Sequence, residues 1–309
     1  MVSAIKKPKV IVICGPTGIG KTSVGIQLAE ILGAEIVGAD SMQIYRYMDI
    51  GTAKPTAKEQ ARIPHHMIDI VNPDEHFDAA RYAQLAHDSV MQLHNRGITP
   101  LVVGGTGLYI KSLLQGLFQS EPIDPMIRNR LKKEAVEKGS GVLYDRLKLI
   151  DPGTANRLHP NDSYRITRAL ETIESTGKSI SEHHQDHGFA DDVFNVLKIC
   201  LQMDRQKLYT RIERRVDIMI ESGLIDEVKR LLGMGYSAGL KSMQSIGYRH
   251  GADFIGGRLS WDECIRTLKR DTRRFAKRQI TWFGADRDIK WFSPNQLNQI
   301  ASLTQKFIS

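Results

Sequence analysis

The run Gly15-x-x-x-x-Gly20-Lys21-Thr22, placed directly after the apolar stretch Val10-Ile-Val-Ile-Cys14, constrains this chain more than any other feature. A continuous β-rich run of that kind suits a central parallel strand whose two faces are both covered. The glycines let the backbone wrap so that successive N–H groups point at one anion, and the helix that follows adds the partial positive charge of its N-terminus. Lys21 reaches phosphate oxygens as a point charge, and the Thr22 hydroxyl is available to Mg²⁺. A purely structural glycine turn would require neither side chain. The whole loop (Gly15, Pro16, Thr17, Gly18, Ile19, Gly20, Lys21 and Thr22) is therefore expected to hold a di- or triphosphate. The motif leaves open which molecule carries it.

Beyond the loop, Val24, Leu28 and Leu32 repeat at helical spacing, and Ala34 to Ala39 reads as a second strand ending at Asp40. Tyr82 to His94 is helical in pattern, and Leu101-Val-Val103 is a third buried strand that ends in Gly104-Gly105-Thr106-Gly107. Phe194 to Leu201 returns to strand. Alternating strands and helices with glycine turns at strand ends predict an α/β fold, a P-loop NTPase-like parallel sheet core with ligands at its carboxyl edge. The segment between is polar and helix-like. The expected organisation is a core of residues 1–120 plus 190–309, with a helical C-terminal region, and a helical insertion domain over 121–189.

Composition excludes several classes. Hydrophobic residues make up 41% and charged residues 25%, enough to bury a core. No stretch approaches the roughly 20 apolar residues that cross a bilayer. The five-residue run Val10 to Cys14 falls short of the about 7–15 that a secretory signal needs. Cys14, Cys200 and Cys264 are far apart and form no CxxC. A reduced cytoplasmic location with no membrane partner follows as the expectation. The net charge of +8 is concentrated: between Arg266 and Arg278 lie seven Lys or Arg against the single Asp271. Such density suits an anionic partner such as a phosphodiester backbone, although a solvated helix face is the more common reading of a lone basic run. Ile265, Leu268, Phe275 and Trp282 are expected to form the buried face of that helix.

A P-loop NTPase usually holds its Mg²⁺ with an acid at a strand end. Here Leu101-Val-Val103 ends in glycines, and the acid is Asp40, beside Ser41, Met42 and Gln43. A carboxylate there can ligate metal or accept a proton, or it can simply cap a turn. His183-His184-Gln-Asp-His187 has the donors for a metal but reads better as a polar loop, and Trp282 and Trp291 read as core.

Read in order, Gly15-Pro-Thr-Gly-Ile-Gly-Lys-Thr22, Asp40-Ser-Met-Gln-Ile-Tyr-Arg46, Asp49-Ile-Gly-Thr-Ala-Lys-Pro55, Pro64-His-His-Met-Ile-Asp69 and Gly104-Gly-Thr-Gly-Leu-Tyr109 form a series. Asn161-Asp162 with Arg165 and Arg168, Arg211-Ile-Glu-Arg-Arg215, Ile246-Gly-Tyr-Arg249 and Thr272-Arg273 with Lys277-Arg-Gln-Ile-Thr-Trp282 continue it. Together they resemble the bacterial tRNA dimethylallyltransferase (tRNA isopentenyltransferase) family over nearly the whole chain. Two departures stand out: Gly18-Ile19 where the family more often has Ala-Ser, and Tyr47 where glycine is common.

The resemblance implies transfer of a dimethylallyl group from dimethylallyl diphosphate to the N6 amine of the adenosine 3′ of the anticodon, in tRNAs reading codons that begin with U. It implies Asp40, Thr106 and Arg215 as catalytic residues, the loop Gly15–Thr22 with Arg215 on the diphosphate, and Mg²⁺ on Thr22. On the tRNA anticodon stem-loop it places Asp40, Ser41, Met42, Gln43, Thr106, Arg128, Tyr164, Arg165, Ile166, Thr167 and Arg168. It adds Gln244, Ser245, Ile246, Gly247, Tyr248, Arg249, Thr272, Arg273, Lys277, Arg278 and Gln279. A monomer is expected. The alternatives are a P-loop kinase of a small molecule and an NTP-dependent RNA-binding protein without chemistry on the base.

Overall fold

A computed structural model describes residues 7–116, 125–179, 182 and 193–309. The expected boundaries at 120/121 and 189/190, and the His183–His187 cluster, lie outside the described residues. The first compact unit comprises Met1–Leu114 and Val193–Ser309, and the second Gln115–Asp192.

In the first unit six parallel strands form one sheet: β1 (Lys9–Cys14), β2 (Glu35–Ala39), β3 (His65–His66), β4 (Pro100–Gly104), β5 (Asn195–Leu201) and β6 (Lys290–Phe292). Their order is β3-β2-β4-β1-β5-β6. The short β3 and β6, at the two edges, are not announced by any apolar run. Within β1 the side chains alternate between two cores. Val10, Val12 and Cys14 join Val37, Val102 and Cys200 on one face, while Ile11 and Ile13 join Ile36, Leu101 and Ile199 on the other. That double burial is why the run is apolar at every position.

Helices cover both faces. On the first lie side chains of α3 (Ala79–Asn95) and α4 (Gly107–Gln115), including Tyr82, Val90 and Tyr109. On the second lie Val24 and Leu28 of α1 (Lys21–Leu32). A short α2 spans Ala57–Arg62. The second unit contains α5 (Pro125–Lys138), α6 (Ser140–Ile150), α7 (Pro152–Ala155) and α8 (Ser163–Thr176). Its own core is built on Leu131, Leu143, Leu147, Ile166, Ala169 and Leu170. The chain closes with α9 (Arg205–Glu221), α10 (Leu224–Gly233), α11 (Tyr248–Ile255), α12 (Trp261–Gly284) and α13 (Leu297–Ile308) in the first unit.

The α12 face differs from the sequence expectation. Its buried stripe is Cys264, Leu268, Ala276, Gln279 and Phe283, whereas Trp282 is 47% exposed. Ile265 and Phe275 are half-buried at its border. Hydrophobic counting passes over Gln279, but a polar side chain tolerates burial when both of its ends are hydrogen-bonded, and this one is.

Register aligns the carboxyl ends: Cys14 pairs with Gly104 and with Cys200, and Ala39 with Gly104. The segments following β1, β2 and β4 therefore emerge side by side. The β2–β4 approach needs glycine, because a Cβ at position 104 would run into the carbonyl of Ala39. Gly104→Ala is expected to lower stability by about 1–3 kcal/mol or more, read as a shifted urea midpoint. Gly284→Ala, where a Cβ meets nothing within 4 Å, leaves the midpoint nearly unchanged.

Candidate active site

The helices α3, α9 and α12 begin with side-chain caps from Asp78, Asp204 and Ser260. Helix α1 does not: its N-cap is Gly20, at φ 102, with no side-chain hydrogen bond. Amides of its first turn are thus left for a ligand, as an anion cradle requires. The loop before it is fixed from outside. A Cβ on Gly18, which sits at φ 80, would lie 2.9 Å from Ile212 of α9, and Ile19 is fully buried in the second core. The Gly18-Ile19 pair therefore suits a loop with a helix pressed against it. Gln279 joins loop and sheet edge: its Oε1 accepts from Thr17 N at 2.8 Å and its Nε2 donates to Gly105 O at 2.8 Å.

Lys21 Nζ donates to Pro16 O at 2.9 Å. Burial pushes its ammonium down to about 8, helped by the Arg215 cation and opposed by the Asp40 carboxylate. Arg215 is itself shifted downward by burial, again against the pull of Asp40. Lys21, Arg215 and Asp40 thus act on one another electrostatically. One turn before Arg215 on α9, Arg211 Nε donates to Gly18 O at 3.1 Å.

Across β4 from the loop, Asp40 opens a tight turn. Its Oδ1 accepts from Met42 N at 2.9 Å and Gln43 N at 3.4 Å. The turn-capping role that the sequence leaves open is therefore realised by one oxygen, while Oδ2 has no protein partner among the described residues. Thr106 joins this turn to the β4 end: its N donates to Ala39 O at 3.1 Å, and its Oγ1 accepts from Ser41 N at 3.0 Å. Thr22 carries a half-exposed hydroxyl with no protein partner among the described residues. Mg²⁺ commonly keeps several waters and takes one or two protein oxygens beside substrate phosphates, so this sparse donor set fits it. No group of three or more His, Cys, Asp or Glu able to hold a metal occurs among the described residues.

The residues expected on nucleic acid divide by exposure. Ser41, Met42, Gln43, Thr106, Ser245, Ile246, Arg249, Thr272 and Arg273 are half-buried, and Gln244, Lys277 and Arg278 are exposed. Gly247, Tyr248 and Gln279 are buried, and the side chains of Tyr248 and Gln279 face the interior. Contiguous stretches of helix necessarily include such inward positions. In the second unit Ile166 and Thr167 are buried for the same reason, while Tyr164 is 80% exposed. There the buried Glu171 holds Arg128 at 3.4 Å and Arg168 at 3.1 Å, and Asp162 holds Arg165 at 2.6 Å.

The basic helix α12 is partly neutralised by the chain itself. Arg273 pairs with Glu213 at 2.5 Å, Lys269 with Asp217 at 2.6 Å, and Arg270 with Asp271 at 2.8 Å. The hydrogen bond from Arg270 brings Asp271 down to about 2. Arg266, Lys277 and Arg278 have no carboxylate partner among the described residues. Trp282, expected in the core, lies against Gly107, where a Cβ would strike its indole.

A parallel sheet with an uncapped anion loop after its central strand, two half-buried cations and a carboxylate at the same edge defines an enzyme core of the P-loop class. The family model described as IPP transferase matches residues 43–286. A tRNA dimethylallyltransferase of Desulfosudis oleivorans is 54% identical over 98% of this chain and 96% of its own length. The crystal structure of the full-length tRNA isopentenylpyrophosphate transferase of Bacillus halodurans matches at TM-score 0.73 and 40% identity, covering 97% of each chain. A eukaryotic dimethylallyltransferase acting on tRNA matches at TM-score 0.79 and 31% identity, covering 94% of this chain and 75% of that one. The chain belongs to the IPP transferase family.

The depressed Lys21 makes anion binding pH-dependent. Below about 8 the free protein carries the ammonium, whereas above it binding must first load a proton. Calorimetric affinity for inorganic diphosphate is expected to weaken about tenfold from pH 7 to pH 9, compared with Lys21→Met at the same two pH values. An equal pH response in the variant would remove Lys21 from the effect.

Proposed function

We propose that this chain is a tRNA dimethylallyltransferase. It moves the dimethylallyl group from its diphosphate to the exocyclic N6 amine of the adenosine next to the anticodon, in tRNAs reading codons that begin with U. It acts in the cytoplasm as a monomer, with the anticodon stem-loop and dimethylallyl diphosphate as its partners. One observation carries this reading. The anion loop and a carboxylate with a free oxygen, Asp40 Oδ2, converge on one sheet edge, on either side of a β4 end that carries no acid.

An adenine amine is a weak nucleophile, because its lone pair is delocalised into the ring, and its proton must leave as the new bond forms. Asp40 accepts that proton on Oδ2 while the N6–C1 bond forms and the C1–O bond to diphosphate breaks. The turn amides on Oδ1 and the Thr106–Ser41 bond fix the carboxylate's direction. The departing diphosphate gains charge. The loop amides, Lys21 and Arg215 stabilise that charge more in the transition state than before it. Mg²⁺, held by Thr22, would supply further charge neutralisation on the diphosphate. The target amine is hidden in a stacked loop, so the base must be splayed out into the site. The cations Lys277, Arg278 and Arg249, with Gln244 and Ser245, serve as contacts to the RNA backbone in this proposal.

Incubation with an anticodon stem-loop RNA, Mg²⁺ and either dimethylallyl diphosphate or ATP, followed by nucleoside mass spectrometry, tests the reading. Prenylated adenosine in the first arm is expected; ATP turnover without it would favour a kinase. Asp40→Ala is expected to lower kcat by about 10²–10⁴-fold while stem-loop affinity persists, and loss of affinity alone would assign Asp40 to binding. Lys277→Ala is expected to weaken binding regardless of sequence and to reduce the salt dependence by about one counterion, measured by fluorescence anisotropy over a salt series.

A further inference from the structure

Glu227 is a carboxylate that the reaction does not use. It lies on α10 with 5% of its surface exposed, and no cation lies within ion-pair distance of it among the described residues. Its oxygens are satisfied by four donors instead. Oε2 accepts from Asp49 N at 3.1 Å and Ile50 N at 2.9 Å, and Oε1 from Gly51 N at 3.2 Å and Tyr248 Oη at 2.6 Å. Three consecutive amides converging on one carboxylate form an anion nest built inside the protein. A buried charge held this way is costly to disturb, because removing its partners leaves it uncompensated.

The nest leads toward the active site. The turn it grips continues into Thr52 and Ala53, whose carbonyl oxygens accept from Gln43 Nε2 at 3.2 and 3.1 Å. The backbone N–H groups of Gln43 and Met42 in turn donate to Asp40 Oδ1. Tyr248 closes the other end: it is fully buried, and a Cβ on Gly51 would lie 2.5 Å from its ring.

We propose that Glu227 is a positioning residue for the transfer reaction. Clamped between Tyr248 and the 49–51 turn, it holds through Gln43 the turn that aims the Asp40 carboxylate at the acceptor amine. The inference rests on the role proposed above for Asp40. Glu227 itself touches neither substrate, so its loss acts on the alignment of the base. Misplacement on the scale of an ångström can cost up to roughly 10²-fold in rate. Gln at 227 cannot substitute, since its amide nitrogen would point a donor at backbone donors.

The test combines steady-state kinetics, with stem-loop RNA and dimethylallyl diphosphate, and hydrogen exchange of the protein without substrates. Glu227→Gln is expected to lower kcat by about 10- to 100-fold, with both KM values within about threefold of the parent. Exchange should accelerate in peptides covering 40–53 and stay unchanged in the phosphate loop. Tyr248→Phe removes one donor and leaves three amides, so its loss should be smaller and in the same direction. Combining Glu227→Gln with Gln43→Ala should cost little more than the worse single change, because both cut the same tether. Unchanged kcat with unchanged exchange at 40–53 overturns the proposal. So does a loss confined to the KM for RNA, or exchange accelerated throughout the chain. Should Glu227→Gln not fold, Tyr248→Phe decides on the same criteria. A parent chain that does not prenylate the RNA would overturn the function instead, and the substrate-free exchange data would still report on the tether.

Discussion

Two half-buried cations beside a single carboxylate set the terms on which this site exists. Lys21 and Arg215 are each shifted toward neutrality by burial, and Arg215 adds to the shift of Lys21. Removing an ion from water costs several kcal/mol even after relaxation, and Asp40 offsets only part of that for two. In the proposed reaction an incoming diphosphate supplies the missing negative charge, and supplies more of it as the allylic bond breaks. The surroundings hold the two cations in readiness. Helix α9 presses Ile212 and Arg211 against the loop, while Gln279 ties the loop to the end of β4. Charge the free protein holds at a cost is charge that binds the departing anion without reorganising.

Much of this was legible in the residues. Runs buried on both faces announce themselves, so β1, β2, β4 and β5 and their carboxyl edge follow from the continuity of Val10–Cys14 and its counterparts. The edge strands β3 and β6 did not, because two or three half-exposed residues carry no pattern to read. The loop chemistry was explicit in Lys21 and Thr22. The resemblance brought in Arg215 beside the loop and Asp40, but not that Arg211 braces the loop through Gly18. Gln279 shows the limit most clearly. The resemblance put it among the tRNA contacts, whereas only the structure reveals two backbone groups waiting on either side of it. The same limit hid Glu227, since a glutamate in an amphipathic helix reads as solvated until the amides facing it are known.

Charge read from the sequence also overstates what α12 can offer. Arg273, Lys269 and Arg270 are engaged by Glu213, Asp217 and Asp271, and Asp271 also holds Arg249 at 2.7 Å. Exposed ion pairs of this kind are worth about 0–1 kcal/mol, so a phosphate can displace them at little cost. Until then they keep long side chains in a narrow set of rotamers. Displacement also returns a carboxylate to the interface, which repels the phosphate that replaced it. The net gain per paired cation is therefore smaller than for Lys277 or Arg278. If this helix meets the RNA as proposed, it acts as a few strong contacts within a softer positive field, which suits a partner that must be released after each turnover.

The segment following β2 carries the remaining tension in the molecule. Among the described residues, the non-glycine positions at positive φ are Tyr47 (67°), Ala53 (45°), Met67 (65°) and Asp69 (55°), all within one stretch. Backbone of that kind costs about 1–3 kcal/mol per residue and persists only where its surroundings over-determine it. Tyr47, one of the two departures noted in the sequence, sits in the conformation that glycine adopts freely. The over-determination can be traced: Lys54 Nζ binds Asp49, Asp69 and the carbonyl of Tyr45, while Glu227 gathers the amides of Asp49, Ile50 and Gly51. A relaxed loop of the same length would meet the needs of packing alone. Strain held by Lys54 and the buried Glu227 next to the Asp40 turn fits the role proposed for that carboxylate: a proton acceptor that wanders loses rate, and a tensioned backbone has few places to wander to.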